Sequence, residues 1–248
     1  MLRDWEAELA SRVAWIRGII GGAGVIYGNS GGKDCTLVGI LCRRATRNIY
    51  GVIMPCESSR NYGQDRDHAR MAAEKYDIST LEVDISSVKC AFREVLTPVF
   101  SAVCAEETFV GKAEMNLNSR LRMAALYTLG QSLGCLVAGT GNRSERVMGY
   151  FTKWGDGAYD FNPISDLTVT EIYEFLKFLE APDEIIGKTP SAGFYDSQTD
   201  EAEMGISYAA IDEFLLHGTG LPENIRKIQE AQRVTEHKRQ LPACYGNS

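Results

Sequence analysis

Apolar positions at three- and four-residue steps open the chain: Trp5, Leu9, Val13, Ile16 and Ile20 predict a helix over 2–20. A short unbroken apolar run follows, "GVIYG" at 24–28, and predicts a buried strand. Helical spacing returns over 33–45, with Leu37, Ile40 and Leu41 on one face. The same alternation continues with strands at 49–55, 80–85 and 135–140 and helices at 64–77, 87–96 and about 114–133. Strands that hardly alternate between apolar and polar, separated by helices, imply a mainly parallel sheet covered on both faces. Helical patterns close the chain at 168–180, 207–216 and 223–237. Residues 149–165 and 188–206 show no periodicity; irregular segments this long in a compact domain are usually functional loops or lids.

Composition narrows the class without naming a function. The 248 residues are 44% hydrophobic and 24% charged, ordinary for a globular chain able to bury a sizeable core. A net charge of −7 speaks against nucleic-acid binding through a broad basic face. The acid-bearing N-terminus "MLRDWEAELA" lacks the apolar core of a signal peptide, and no run reaches the ~18 apolar residues of a membrane span. Seven cysteines, an odd number with no CxxC pair, fit reduced thiols and a cytoplasmic location better than disulfides or a zinc site. No internal repeat or low-complexity tract is present.

The first strand leads into "VIYGNSGGKDCT" (25–36). In an open parallel sheet, ligands bind beyond the carboxyl ends of the strands, where this turn lies. Gly31 and Gly32 let the backbone approach an anion, and the free N–H groups opening the next helix point at it. Ser30 adds a hydroxyl. The Walker pattern G-x-x-x-x-G-K-[ST] is absent. An acid inside a phosphate cradle repels its ligand unless a cation lies between them, so Asp34 suggests Mg2+ bridging to phosphates.

"SGGKDC" resembles the S-G-G-x-D-S pyrophosphate loop of the N-type ATP pyrophosphatases. "GTGNRSE" (139–145), "GYFTKWGDG" (149–157), "DFNPISDLT" (160–168), "GISYAAID" (205–212) and "TEHKRQLPA" (235–243) follow in the order and spacing of NAD synthetases. The resemblance spans nearly the whole chain and is most specific from residue 116 onward. It implies one doubly wound α/β domain over 1–248, like the adenine nucleotide alpha hydrolases, without the N-terminal amidase (nitrilase-type) domain of glutamine-hydrolysing members. It also implies a homodimer with deamido-NAD bound across the subunit interface. The implied reaction is adenylation of the nicotinate carboxylate by ATP, then displacement of AMP by ammonia.

By the same resemblance, Gly28, Asn29, Ser30, Gly31, Gly32, Lys33, Asp34 and Cys35 form the ATP loop, with Thr140 and Ser191 as further ATP contacts. Asp34 and Glu145 match metal ligands. Asn116, Arg120, Lys153, Asp160, His237 and Lys238 match deamido-NAD contacts, and Asp156 joins Asp34 and Lys153 as a catalytic candidate. Plainer roles exist for several: Glu145 opens a helical stretch, where the dipole favours an acid anyway. Arg120 and Arg122 lie on one long helix, and only one of them faces any given ligand. His237 and Lys238 also suit a basic C-terminal turn. His68 and His217 carry no motif.

Two positions depart from the family. Cys35 replaces the usual loop serine, and a thiol is a weaker hydrogen-bonding partner than a hydroxyl; a neutral, packed thiol is expected. Val169 stands where relatives commonly carry a phosphate-contacting lysine; either another cation serves, with Lys33, Lys188 and Arg60 as candidates, or ATP binding is weaker. Two other classes stay open: an adenylating relative with a different acceptor, and a nucleotide-binding protein without turnover.

Overall fold

A computed structural model describes residues 3–103, 111–188 and 199–246. Helix α1 (Trp5–Ile20) starts at Asp4, whose side chain accepts from the N–H groups of Glu6 and Ala7, and stops at Gly21 with φ 55°. The chain then alternates through β1 (Gly24–Gly28), α2 (Lys33–Ala45), β2 (Ile49–Ile53), α3 (Ser59–Tyr62), α4 (Gln64–Lys75) and β3 (Ser79–Glu82). Two long helices, α5 (Ser86–Val103) and α6 (Gly111–Leu133), precede β4 (Cys135–Val137). The last part is helical: α7 (Arg143–Met148), α8 (Val169–Phe178), α9 (Asp183–Ile186), α10 (Asp200–Met204), α11 (Tyr208–His217), α12 (Pro222–Val234) and a 3-10 turn at Glu236–Lys238.

The four strands form one parallel sheet in the order β3-β2-β1-β4. Val25 pairs with Ile49 on one side and Leu136 on the other. As the near-continuous apolar run predicts, β1 is buried on both faces. Val25 and Tyr27 pack with Ile16, Leu37, Leu41 and Phe175 from α1, α2 and α8. Ile26 joins Val52 and Val137 on the opposite face, beneath Leu121, Ala125 and Leu129 of α6. Helices therefore cover both faces, and the fold is doubly wound α/β. A third cluster, with Met148, Val169, Ile211 and Ile228, joins α7, α8, α11 and α12.

Several elements differ from the sequence pattern: β2, β3 and β4 end at Ile53, Glu82 and Val137 instead of at 55, 85 and 140, and the short α3 and α9 add to the expected helices. Helix α5 runs on to Val103 instead of ending at 96, with Pro98 inside it. Proline normally stops a helix, but the apolar repeat at Val88, Phe92, Val95, Val99 and Val103 keeps helical period through it. Within the aperiodic 188–206, Thr199 caps the short α10 by accepting from the Ala202 N–H. Among the described residues, no helix is long and apolar enough to cross a membrane.

Candidate active site

Beyond β1 the chain makes a tight cradle. Asn29 is 2% exposed; its amide donates to Ala69 O at 3.0 Å, and its Oδ1 accepts from the Gly31 N–H at 3.2 Å. Gly31 adopts φ 65°, and a Cβ there would lie 2.3 Å from Asp65 O, so the turn needs glycine twice over. At the head of α2 the Cys35 thiol donates to Gly32 O and accepts from Gly32 N–H, both at 3.2 Å, with Ser30 Oγ 3.3 Å away. The thiol thus takes over the capping work of a serine hydroxyl, and it is packed as expected, 3% exposed.

Helix α7 brings a second carboxylate to the cradle. Asn142 caps it, accepting from the Glu145 N–H at 2.9 Å, while Glu145 Oε2 accepts from the Asn142 N–H at 3.1 Å. The Asn142 amide also donates to Asp34 Oδ1 at 3.1 Å, tying α7 to α2. Burial, reinforced by the Asp34 charge, pushes the Glu145 carboxyl well above its ordinary range. Lys33 offsets part of that charge, its Nζ 2.8 Å from Asp34 Oδ2 and 5.4 Å from the Tyr208 ring centre. Burial opposes the Lys33 charge, but Asp34 and Glu145 together hold the ammonium above its ordinary value. Among the described residues no cluster of three or more His, Cys, Asp or Glu encloses a metal. Two facing carboxylates beside a phosphate cradle nevertheless fit Mg2+, which takes one or two carboxylates and completes its shell with phosphate oxygens and water.

These groups line a cleft of about 300 Å³, together with Thr140, Asp156, Arg122, Lys188 and Asp200. Of the candidate ATP residues, Gly28, Asn29, Ser30, Gly32, Lys33, Asp34, Cys35 and Thr140 reach the cleft. Gly31 supports it from behind, against α4. Ser191 lies outside the described residues.

The candidate substrate residues form a second group around loop 149–157. Asn116 Oδ1 accepts from Thr152 Oγ1 at 2.7 Å, and exposed Arg120 donates to Lys153 O at 3.5 Å. Lys153 Nζ donates to His237 O at 2.5 Å, and Lys238 Nζ donates to Gly149 O and Phe151 O, both at 2.8 Å. Asp156 links this loop to the cleft: its Oδ1 accepts from the Thr152 N–H at 3.0 Å, and burial raises its carboxyl above the ordinary range. Asp160 stands apart, accepting from the Val137 N–H at 2.7 Å and from Tyr127 OH at 3.3 Å at the end of β4.

Val169 opens α8 and is 4% exposed within the third core cluster, so it faces no ligand. Lys33 and Lys188 both line the cleft, the latter 2.8 Å from Asp65 Oδ1 and donating to Gly31 O at 3.1 Å. The Arg60 side chain lies outside the described residues.

Arg122, not Arg120, faces the cleft. Its Nε donates to Met54 O at 3.1 Å and its Nη2 to Asn61 Oδ1 at 3.2 Å. No carboxylate among the described residues lies within ion-pair reach, and burial pulls the guanidinium below its ordinary value. The signal was in the periodicity: Arg122 falls three, four and seven residues before Ala125, Leu126 and Leu129, the stripe of α6 that packs on the sheet. Asp200 also escaped notice, because α10 sits in an aperiodic stretch. Tyr208 OH donates to its Oδ2 at 3.1 Å, and burial raises its carboxyl.

Known proteins resemble the chain over nearly its whole length. The family model described as NAD synthase matches residues 9–242. The NH3-dependent NAD+ synthetase of Carboxydothermus hydrogenoformans is 38% identical, over 96% of this chain and 97% of that protein. Among solved structures, the NMN synthetase from Francisella tularensis superposes with a TM-score of 0.89 at 30% identity, covering 98% of this chain and 99% of that one. The NH3-dependent NAD synthetase from Campylobacter jejuni, in complex with nitrate, gives a TM-score of 0.78 at 28% identity, covering 98% and 99%.

Proposed function

This chain belongs to the NAD synthase family and is a carbon–nitrogen ligase, and from that premise we propose that it amidates deamido-NAD to NAD with ammonia and ATP. The nicotinate carboxylate attacks the α-phosphorus of ATP and pyrophosphate leaves. Ammonia then attacks the acyl carbon, the C–O bond to AMP breaks, and the surplus proton on nitrogen passes to a base. One observation carries this reading: a glycine cradle and two facing carboxylates, Asp34 and Glu145, meet in one cleft beyond β1 and β4.

Each residue group supports a step. The cradle N–H groups and the head of α2 receive phosphate oxygens. Asp34 and Glu145 would hold Mg2+, which when bound neutralises phosphate charge and so favours loss of pyrophosphate. Lys33, Lys188 and Arg122 add positive charge along the same wall. Arg122 has no carboxylate of its own among the described residues, which suits it to a substrate anion. Asp156 would take the proton from the attacking nitrogen, a role supported by its position in the cleft lining and by a carboxyl raised by burial.

Asn116, Arg120, Lys153, Asp160, His237 and Lys238 are the proposed deamido-NAD contacts. Most gather beside the cleft on a surface open to solvent, which supports a homodimer in which a second copy completes the site. Helix α5 supports it too: Val88, Phe92, Val95, Leu96, Val99 and Val103 are each more than a third exposed, an apolar stripe in want of cover.

A second reading concerns the substrate. The higher superposition on an NMN synthetase favours testing the mononucleotide acid, which carries the same reacting carboxylate without the adenylate half. Purified protein with ATP, Mg2+ and an ammonium salt, offered both acids in equal amounts and followed by mass spectrometry, should yield NAD and AMP. NMN as the main product would move the assignment to the mononucleotide. Product from glutamine alone would remove the ammonia-dependent reading, and absence of AMP in every tube would remove the ligase mechanism.

A further inference from the structure

Behind α7, away from the candidate active site, lies a second cleft of about 560 Å³. Four guanidiniums line it, from Arg3, Arg143, Arg146 and Arg239, against two carboxylates, Asp166 and Glu236. The carboxylates are already engaged. Asp166 is held by Arg3 at 2.9 Å and by Arg12 at 2.7 Å, and Glu236 by Arg239 at 2.9 Å. Arg143 and Arg146 have no carboxylate partner among the described residues. Among the described residues, Arg143 donates only to Leu215 O, at 3.3 Å, and the Arg146 guanidinium makes no hydrogen bond. One turn apart on α7, they present adjacent forks of donors, in a chain whose net charge is −7.

We propose that this cleft is a second anion site, shaped for a small phosphate polyanion such as pyrophosphate, and that filling it steadies the active site from behind. Among the described residues Val147 is the only apolar one in the lining, so a nucleobase or an acyl chain would find little to pack against. Paired guanidiniums suit tetrahedral oxyanions, each able to take two parallel hydrogen bonds. The coupling runs through α7. Its cap Asn142 holds Asp34, and its Glu145 faces the first cleft, while Arg143 and Arg146 face the second. Arg239 forms the other wall. It donates to Arg146 O at 2.9 Å and follows directly on the turn whose His237 O receives Lys153 Nζ. An anion bridging these walls therefore clamps the supports of both Glu145 and Lys153.

The test is calorimetric titration of the full chain with pyrophosphate, beside the Arg143→Gln/Arg146→Gln double variant. The double variant should bind one fewer pyrophosphate per chain; equal stoichiometry in the two proteins would overturn the site. Arg146→Gln alone removes an exposed, unbonded side chain, so it keeps the test independent of folding. It should weaken the same binding step without moving the thermal midpoint. In the amidation assay, inorganic phosphate should shift wild-type kcat/KM about fivefold, the low end of ordinary coupling between sites, and leave Arg146→Gln unmoved. Phosphate bound with no kinetic response would overturn the clamp. Because the binding arm needs no turnover, failure of the proposed reaction and failure of this site are told apart.

Discussion

Gly31 offers the sharpest test of the phosphate cradle. It sits at φ 65°, and a methyl group there would lie 2.3 Å from Asp65 O, 2.6 Å from Ala69 N and 2.9 Å from His68 Cβ. Two of these atoms belong to the backbone of α4 and cannot swing aside. Alanine in the left-handed region costs about 1–2 kcal/mol. Overpacking against a fixed wall adds about 1–3 kcal/mol. For a chain of this size, about 2–5 kcal/mol lowers the melting temperature by on the order of 10 °C. Gly32 is the internal control: its added Cβ meets only Ser30 Oγ, at 3.4 Å, with no left-handed φ. Gly32→Ala should therefore melt close to wild type, while Gly31→Ala melts well below it and loses ATP binding in calorimetry. If both variants melt together, or Gly31→Ala binds ATP as wild type does, the packing of the loop on α4 is not what shapes the cradle.

Other substitutions probe the remaining groups. Asp34→Asn should keep the fold by circular dichroism and abolish NAD formation; an unchanged rate would remove its proposed metal role. Arg122→Ala should cost about 1.5–3 kcal/mol of transition-state binding, roughly 10- to 150-fold in kcat/KM. Losing its hydrogen bonds to Met54 O and Asn61 Oδ1 should lower the melting temperature by only a few degrees; a drop well above ~10 °C would show a chiefly structural role instead. Val95→Glu with Val99→Glu should give a monomer by light scattering, and an unaltered dimer would acquit the α5 stripe. Burial alone would raise the Asp166 carboxyl, yet Arg12 and Arg3 hold it down to about 2 from an ordinary 3.8. Its stabilising contribution is thus complete above the unfolded value and lost as pH falls through the folded one. The stability gap between wild type and Asp166→Asn, by urea unfolding, should be constant above about pH 5 and close on acidification.

What could be read from the residues depended on whether the signal was local. The strand–turn–helix unit at 24–45 was legible because apolar run, glycines and helical spacing sit in one window, and its bounds fall where the pattern put them. The candidate ATP loop was legible for the same reason. The pairing of Asp34 with Glu145 was not visible in spacing, since a loop, a sheet and a cap residue bring α2 and α7 together; only resemblance anticipated it. Val169 shows the limit of transferring a position by alignment. Its side chain is spent on the core beneath α8, and the cleft draws positive charge from Lys33, Lys188 and Arg122 instead. Pro98 misled in the opposite direction, because a local breaker was outweighed by an apolar repeat running from Val88 to Val103 along an 18-residue helix.

The strand order has a consequence during synthesis. β1 is made early, yet its partner on one side, β4, is the last of the described strands to leave the ribosome, and α6, which roofs that half of the sheet, comes just before it. About a hundred residues separate the two strands; at 5–20 residues per second, that is roughly 5–20 s of translation. Throughout that interval an apolar strand has an open hydrogen-bonding edge and one bare face. The nascent chain is therefore most prone to aggregate between the first and last of these strands, and overproduction should reward chaperone supply over any change to the finished surface.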